Sequence, residues 1–298
     1  MLKARKSKIL VILGPTSSGK SDIAIKLARD FNGEIISADS RQVFRWLNLG
    51  SGKVTDEEQQ QAPHWLLDVA DPKKNYNVSH FKKEAEEKIE EILKRKKLPI
   101  ICGGTGFWIQ ALVDNVIYPE VKPNQKLRRK LEEESAQNLF EKLKKIDPKR
   151  AKNIDAKNKI RLIRAIEIVK TLGKVPQIKS SPKYQALQIG IDVPKEKLEE
   201  RIVQRLEKRF RAGLVEEIKE LHQKHGVSWK RMKEFGLAYT HIPEFLKGKI
   251  TEEDAREKII QDEKNYAKRQ RTWFKRDQRI LWLSSYIEIK NKVNNFLK

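Results

Sequence analysis

A glycine-containing loop between two short apolar segments constrains the fold of this chain more than any other feature. The loop fits the pattern G-x-x-x-x-G-K-[ST]. It follows KILVIL (8–13), which predicts a buried strand, and precedes DIAIKLARDF (22–31), whose apolar residues recur at helical spacing. In this context the backbone can surround a phosphate, with N–H groups and the helix N-terminus facing it. The residues predicted to bind a diphosphate or triphosphate are Gly14, Pro15, Thr16, Ser17, Ser18, Gly19, Lys20 and Ser21.

Three side chains of this loop are candidates for chemistry. Lys20 brings a positive charge to the phosphates, and the hydroxyl of Ser21 is suited to a magnesium ion. The hydroxyl of Thr16 either reaches the leaving oxygen or packs within the loop. The motif indicates a diphosphate or a triphosphate, but it does not specify ATP.

Further apolar segments alternate with helical patterns, which predicts an α/β fold with a P-loop-like parallel sheet flanked by helices. The predicted strands after the first are EIISAD (34–39), HWLLDVADP (64–72), LPIICGG (98–104), LQIGIDVP (187–194) and RILWLSS (279–285). The predicted helices include 78–97, FWIQALVD (107–114), one long helix over 195–224, and 251–275, which begins with a capping box at Thr251.

Residues 121–184 differ from this alternation. They are polar and almost entirely helical in pattern, with segments such as LRRKLEEES and NKIRLIRAIEIVKTLG. We therefore predict a helical insertion over 121–184 within an α/β core formed by 1–120 and 185–298.

The charge of the chain favours a polyanionic partner. Lys and Arg number 64 against 41 Asp and Glu, a formal net charge of +23 over 298 residues. Adaptation to heat raises the content of Lys and Glu together, so it explains an excess of cations less well than a polyanionic partner does. No segment approaches the roughly 20 apolar residues that span a bilayer, and the single cysteine, Cys102, excludes a disulfide framework. We expect a cytoplasmic protein without membrane segments.

Two positions follow predicted strands. Asp39 ends the second strand, at the sheet edge where ligands bind in open α/β folds. A carboxylate there holds magnesium, acts as a general base, or caps a neighbouring loop. Gly103-Gly104-Thr105-Gly106 follows another strand, and its glycines permit close approach of a ligand or simply form the turn that begins a helix.

Basic residues are clustered in three segments. Arg201, Arg205 and Arg209 share one helix face, as do Arg161 and Arg164 in the insertion, although such rows are often solvated. The segment 264–279, KNYAKRQRTWFKRDQR, carries seven cations against one Asp, with three aromatic residues between them. This pattern is typical of binding to single-stranded or loop RNA, unless the Trp and Phe belong to the core.

Taken together, the segments resemble one family, the tRNA dimethylallyltransferases (isopentenylpyrophosphate transferases acting on tRNA). The resemblance covers nearly the whole chain, in the order of that family. It is closest to the short bacterial form, which lacks the zinc finger of eukaryotic members. The matching segments are GPTSSGKS, IISADSRQVF, GSGKVT, APHWLLDVADP, LPIICGGTGFWIQAL, IRLIRAIEI, RIVQRLEKRFRAGLVEEI and YAKRQRTWFKR.

The resemblance implies transfer of a dimethylallyl group from dimethylallyl diphosphate to N6 of the adenine beside the anticodon of tRNA, with release of pyrophosphate and assistance from Mg²⁺. It implies that Lys20 and Arg205 neutralise charge on the diphosphate, and that Asp39 accepts the proton from the adenine amine. Thr16 would donate to the bridging oxygen, and Thr105 would contact the flipped adenine or its neighbours.

The same resemblance implies a tRNA site and a helical insertion that grips the anticodon stem-loop. It implies no obligate protein partner, and a monomer is the default. The residues assigned to tRNA are Asp39, Ser40, Arg41, Gln42, Thr105, Arg128, Ile160, Arg161, Leu162, Ile163, Arg164, Lys268, Arg269, Gln270, Arg271, Thr272, Trp273, Phe274 and Lys275.

The sequence departs from the family pattern at three places. Arg41 stands where a small or apolar residue is expected, and GSGKVT (50–55) replaces the usual GTAKP. A Gly-Tyr pair is expected where this chain has Gly236-Leu237, and Tyr239 comes two residues later.

Three other functions remain open at this point. A related enzyme would prenylate free adenine nucleotides, and a P-loop kinase would transfer phosphate from ATP. A non-catalytic RNA-binding module would carry a degenerate loop. The basic segments favour tRNA over free nucleotides, and the intact Lys20, Ser21 and Asp39 disfavour a non-catalytic module.

Overall fold

The computed structural model describes residues 6–177 and 180–298. These residues form two compact units. The first unit consists of the described residues up to Asn115 together with Pro182–Lys298, and the second is Val116–Ser181. The second unit thus begins and ends a few residues before the predicted bounds of 121 and 184.

The first unit contains a six-stranded sheet in which all pairings are parallel. Its order is β3-β2-β4-β1-β5-β6, so the strand that precedes the glycine loop lies in the interior of the sheet. The strands are β1 (Lys8–Leu13), β2 (Gly33–Ser37), β3 (His64–Trp65), β4 (Leu98–Gly103), β5 (Gln185–Ile191) and β6 (Leu281–Leu283).

Helices cover both faces of this sheet, which explains why its central strands are almost continuously apolar. The helices of the first unit are α1 (Lys20–Asp30), α2 (Asp56–Gln61), α3 (Val78–Lys94) and α4 (Gly106–Val113), followed after the second unit by α9 (Lys195–Arg211), α10 (Leu214–Gln223), α11 (Trp229–Phe235), α12 (Ala238–Leu246), α13 (Glu252–Phe274) and α14 (Tyr286–Leu297). No helix among the described residues is both long and apolar enough to cross a membrane.

The two faces of the sheet bury separate hydrophobic clusters. Ile9, Val11 and Leu13 of β1 point into one cluster, and Leu10 and Ile12 point into the other. This alternation follows from the two-residue period of a strand. The P-loop-like α/β fold predicted from the sequence is confirmed.

Two predicted elements are wrong in extent. The helix predicted over 195–224 is two helices, because Gly213 adopts a left-handed conformation with φ 96° and precedes a new helix. Of the strand predicted over 64–72, only His64 and Trp65 join the sheet, and Ala70 forms an isolated parallel bridge with Phe44 outside it. The chain leaves the sheet there because Leu66 and Asp68 have φ values of 62° and 56°, which a strand does not accommodate.

The part of the second unit that the structure describes has four helices around a small core. Leu139, Leu143 and Leu162 are fully buried in this core. The helices are α5 (Gln125–Glu132), α6 (Ala136–Ile146), α7 (Pro148–Ala151) and α8 (Lys159–Leu172).

One buried carboxylate connects the ends of this unit. Glu167 is 1 % exposed, pairs with Arg128 at 2.8 Å and with Arg164, and accepts the backbone N–H of Asn124 at 2.6 Å. Burial alone would raise the pKa of Glu167, but hydrogen bonds from Arg128, Asn124 and Arg164 lower it to about 2. Glu167 therefore holds α5 and the segment before it against α8.

Replacing Glu167 with Gln should lower the free energy of unfolding by about 1–3 kcal/mol, because two guanidinium groups lose their charged partner. The pKa of Glu167 is lowered from 4.5 to about 2, so its contribution is complete above pH 4.5 and is lost as the pH falls towards 2. Thermal unfolding monitored by circular dichroism measures the change. Glu133→Gln, an exposed position at the end of α5, is the control, and equal melting temperatures for the two variants would contradict this role.

Candidate active site

The glycine loop joins β1 to α1 and lies at the carboxyl edge of the sheet. Gly19 has φ 86°, a left-handed conformation, and helix α1 begins at the next residue. The backbone N–H of Ser18 donates to Pro15 O at 3.3 Å, which closes the turn. Thr16 to Ser21 line one wall of a cavity. The loop therefore has the position and the conformation of a phosphate-binding loop.

Lys20 lies at this wall without a carboxylate partner. Its Nζ donates to Pro15 O at 3.4 Å, and among the described residues no carboxylate lies within ion-pair distance of it. Burial lowers the pKa of Lys20, and Arg205 lowers it further, against the opposing effects of Cys102 and Asp39. A desolvated ammonium group in this position is stabilised by an anionic ligand.

The cavity itself has a volume of about 740 Å³. Cations outnumber acids along its wall. The cationic side chains are Lys20, Lys26, Arg41, Lys53, Lys197, Arg201, Arg205, Lys208 and Arg209, and the acidic ones are Asp22, Asp39, Glu58, Asp192 and Glu263. This excess of positive charge in a concave site favours an anionic substrate.

The arginine row of α9 faces this cavity rather than solvent. Arg201 donates to Ser18 O at 3.3 Å, Arg205 to Gly52 O at 2.7 Å, and Arg209 to Leu49 O at 3.3 Å. Burial is the main cause that lowers the pKa of Arg205. Sequence reasoning selected Arg205 and left the other two as a solvated row, although their spacing of four residues already placed all three on one face.

Asp39 follows β2 and lines the same cavity as the glycine loop. Its Oδ1 accepts the backbone N–H of Arg41 at 2.9 Å and that of Gln42 at 3.4 Å. Among the described residues Asp39 forms no ion pair within 4 Å, so no close cation neutralises it. The arrangement leaves a carboxylate with proton-accepting capacity in the same cavity as the phosphate loop.

Thr105 and Ser40 form a hydrogen-bonded pair next to Asp39. The backbone N–H of Ser40 donates to Thr105 Oγ1 at 3.0 Å, and the Thr105 hydroxyl donates to Ser40 Oγ at 3.4 Å. The guanidinium of Arg41 lies 4.9 Å from the ring centroid of Tyr266, and its Nε donates to Phe235 O at 2.6 Å. The structure thus brings these predicted residues together with Tyr266, which sequence reasoning noted only as an interleaved aromatic residue.

The glycines after β4 leave space that is filled by side chains of α13. A Cβ on Gly104 would lie 2.3 Å from Gln270 Nε2, and a Cβ on Gly106 would lie 2.3 Å from Trp273 Cδ1. The sequence left open whether these glycines admit a ligand or form the turn that begins a helix, and at Gly104 and Gly106 the space beside the backbone is filled by side chains of α13. Their role is to let α13 pack closely against the start of α4.

Gln270 supports the phosphate loop from this helix. Its Oε1 accepts the backbone N–H of Thr16 at 2.8 Å, and its Nε2 donates to Gly104 O at 2.9 Å. The side chain is 6 % exposed and both ends of its amide are bonded within the protein, so little of it is open to tRNA, and its assignment as a tRNA contact stays a prediction. Gln270 acts inside the protein by fixing Thr16.

Three other residues assigned to tRNA are buried. Phe274, the last residue of α13, packs into the core of the first unit, and Leu162 and Ile163 pack into the core of the second unit. Their side chains stabilise the fold and are not available to a ligand. The sequence left open whether the Trp and Phe of 264–279 belong to the core. Phe274 does, whereas Trp273 is half-buried with its ring edge-on to Phe107.

The remaining tRNA candidates divide into paired and exposed side chains. Arg271 pairs with Asp192 at 3.3 Å, whereas Arg128 and Arg164 pair with Glu167 in the second unit. The exposed candidates are Ile160, Arg161, Lys268, Arg269, Thr272 and Lys275. The exposed cations are the ones whose charge is available to a polyanion.

The fold and the cavity define a P-loop-like α/β protein with a cavity of positive charge next to the glycine loop. The family model of the IPP transferases matches residues 42–277. Related tRNA dimethylallyltransferases include one from Thermoanaerobacter sp., 38 % identical over 97 % of both chains. Another, from Carboxydothermus hydrogenoformans, is 38 % identical over 97 % of this chain and 99 % of the relative. The chain therefore belongs to the IPP transferase family, and the resemblance found in the sequence is confirmed.

Solved structures agree with this membership. The tRNA delta(2)-isopentenylpyrophosphate transferase from Staphylococcus epidermidis is 35 % identical, with a TM-score of 0.72 over 97 % of this chain and all of that one. A eukaryotic dimethylallyltransferase acting on tRNA is 27 % identical, with a TM-score of 0.80 over 94 % of this chain and 74 % of that one. Both similarities span the two units of the chain.

Replacing Gln270 with Ala should weaken binding of inorganic pyrophosphate about tenfold, because the N–H of Thr16 loses its acceptor and the loop loses its support from α13. Isothermal titration calorimetry measures the affinity. Gln261→Ala, an exposed glutamine on the same helix, is the matched control. An unchanged affinity in Gln270→Ala would mean that α1 alone fixes the phosphate loop.

Proposed function

We propose that this protein transfers a dimethylallyl group from dimethylallyl diphosphate to N6 of the adenine adjacent to the anticodon of tRNA, and releases pyrophosphate. The observation that carries the proposal is that a phosphate loop, the Arg205 guanidinium and the Asp39 carboxylate line one cavity. Membership in the IPP transferase family and the names of the relatives support it.

The donor diphosphate is assigned to the loop 14–21. Lys20 and Arg205 are both desolvated cations at this end of the cavity, and Arg201 lies against the carbonyl of Ser18. Charge that develops on departing pyrophosphate is stabilised most by groups that are already in place and shielded from water. The backbone N–H of Thr16 is taken by Gln270, which leaves its hydroxyl as the donor to the bridging oxygen.

Asp39 is assigned as the general base for the acceptor adenine. An aryl amine is a weak nucleophile, and its N6 proton is lost as the carbon–nitrogen bond forms, so a carboxylate acceptor promotes the step. Thr105 and Ser40 lie beside Asp39, where they can contact the base. Extruding a base from a stacked loop costs a few kcal/mol, which contacts in the cavity must offset.

Magnesium is a proposed cofactor of the donor side. The described residues contain no cluster of three or more His, Cys, Asp or Glu that could hold a metal. Mg²⁺ commonly binds substrate phosphates and keeps several waters, so one protein hydroxyl is compatible with it. Ser21, which lines the cavity next to Lys20, would hold the ion together with diphosphate oxygens. When bound, the ion supplies positive charge to the leaving group.

Transfer of radiolabelled dimethylallyl groups tests the function directly. The donor and Mg²⁺ are offered with unmodified tRNA in one reaction and with AMP, ADP and ATP in another. Label in tRNA supports the proposal, whereas label in free nucleotides alone would reassign the acceptor. Label in neither, with transfer of phosphate from ATP, would indicate a kinase.

Asp39→Asn separates chemistry from binding in the same assay. We expect the rate of transfer to fall at least about 100-fold, because the proton acceptor is lost. The affinity for tRNA, measured by filter binding, should change less than about threefold, since the contact area is retained. Asp56→Asn, an exposed carboxylate at the start of α2, is the control. Equal loss of rate and of tRNA affinity would make Asp39 a binding residue.

The exposed cations of α13 are assigned to tRNA phosphates. Replacing Lys268 and Lys275 together with Ala should reduce the slope of log affinity against log salt by about 1.5–2, because two phosphate contacts are lost. The control pair is Lys249→Ala with Lys258→Ala, two exposed lysines without an assigned role. An unchanged slope in the Lys268 and Lys275 variant would place the tRNA on another face.

A further inference from the structure

A carboxylate outside the catalytic groups is held by four hydrogen-bond donors. Glu217 of α10 accepts the backbone N–H groups of Asn48 at 3.1 Å, Leu49 at 2.6 Å and Gly50 at 3.0 Å, and the hydroxyl of Tyr239 at 3.1 Å. Each carboxylate oxygen has two donors, so the acceptor capacity of Glu217 is well used. None of the catalytic assignments above involves Glu217.

The segment that Glu217 holds also contacts the cavity arginines. This segment, Asn48–Lys53, is called the 48–53 loop. Its Leu49 carbonyl accepts Arg209, and its Gly52 carbonyl accepts Arg205 at 2.7 Å. The Leu49 carbonyl and the Gly50 N–H belong to one peptide group, so that group lies between the Glu217 carboxylate and the Arg209 guanidinium. The opposite charges polarise this peptide in the same direction, which strengthens both hydrogen bonds.

The 48–53 loop also packs closely against Tyr239 at Gly50 and against Arg205 at Gly52. A Cβ on Gly50 would lie 2.4 Å from Cζ of Tyr239, and a Cβ on Gly52 would lie 2.4 Å from Nη2 of Arg205. Tyr239 is fully buried, so its ring cannot move away without disturbing the core. The loop is therefore fixed between Tyr239 and Glu217 on one side and Arg205 on the other.

We propose that Glu217 and Tyr239 are positioning residues that act through the 48–53 loop to fix the guanidinium groups of Arg205 and Arg209 at the cavity wall. The Arg205 guanidinium, held by the neutral carbonyl of Gly52, keeps its charge available for a diphosphate, and its fixed orientation avoids reorganisation when the anion binds. Arg209 is also paired with Glu263 at 2.5 Å, so less of its charge is available to the ligand. The inference rests on the proposed function only in assigning a diphosphate to this cavity. The segment 50–55, which departs from the family pattern, thus contacts Tyr239, which lies two residues after Gly236-Leu237.

Binding of inorganic pyrophosphate to the full chain, measured by calorimetry, tests the proposal without requiring turnover. Glu217→Gln should weaken binding about tenfold, because an amide nitrogen replaces one acceptor and faces backbone donors. Tyr239→Phe keeps the ring against Gly50 and should weaken binding about threefold, since only one donor is lost. Glu216→Gln, the exposed neighbour on α10, should leave the affinity unchanged.

A double-mutant cycle distinguishes positioning from general stability. If Glu217 acts through Arg205, then combining Glu217→Gln with Arg205→Lys should weaken binding no more than about threefold beyond Arg205→Lys alone. The proposal would be overturned if the losses of affinity from Glu217→Gln and Arg205→Lys added up in the double variant. It would also be overturned if Glu217→Gln and Tyr239→Phe each left the affinity unchanged. If Glu217→Gln does not fold, Tyr239→Phe replaces it in the cycle. Failure of the unaltered protein to bind pyrophosphate would instead refute the assigned diphosphate site.

Discussion

Hydrogen bonds between guanidinium groups and neutral backbone carbonyls are the interaction on which the cavity depends. Arg201 and Arg205 donate to Ser18 O and Gly52 O, and neither has a carboxylate within ion-pair distance among the described residues. A carbonyl orients a guanidinium and satisfies part of its donor capacity without cancelling its charge. Burial of such cations is costly, as the lowered pKa of Arg205 indicates, and an anionic ligand offsets that cost. The cavity therefore has a positive potential because the fold supplies neutral carbonyls, and not carboxylates, as the hydrogen-bond acceptors of these arginines.

Helix α13 divides its residues between this cavity and the surface. Its inner face carries Glu263, which pairs with Arg209, and Gln270, which holds the phosphate loop. Its outer face carries Lys268, and the exposed Lys275 follows its last residue. A helix of 23 residues can do both because successive residues rotate by about 100° around its axis. Binding of an anion in the cavity and attraction of a polyanion to the outer face then depend on different residues of one rigid element.

The parts of the fold that were predictable from sequence are those fixed by neighbouring residues. The phosphate loop was predictable because a buried strand, six loop residues and a helix are contiguous. The end of β3 was not, since it depends on positive φ values at Leu66 and Asp68, and such values are uncommon for residues other than glycine. The role of Gly104 was also hidden, because its neighbour Gln270 comes from 166 positions later in the chain.

A cation counted in a sequence contributes to RNA binding only if its charge is not already used within the protein. In the second unit Glu167 holds both Arg128 and Arg164, and its low pKa keeps it ionised at every physiological pH. The pairing of Arg164 with Glu167 was visible as a spacing of three on a helix, whereas that of Arg128 was not. These two arginines shape the surface, while exposed cations such as Arg161, which forms no ion pair among the described residues, supply its field. The salt dependence of RNA binding should therefore follow the unpaired cations and not the total charge of +23.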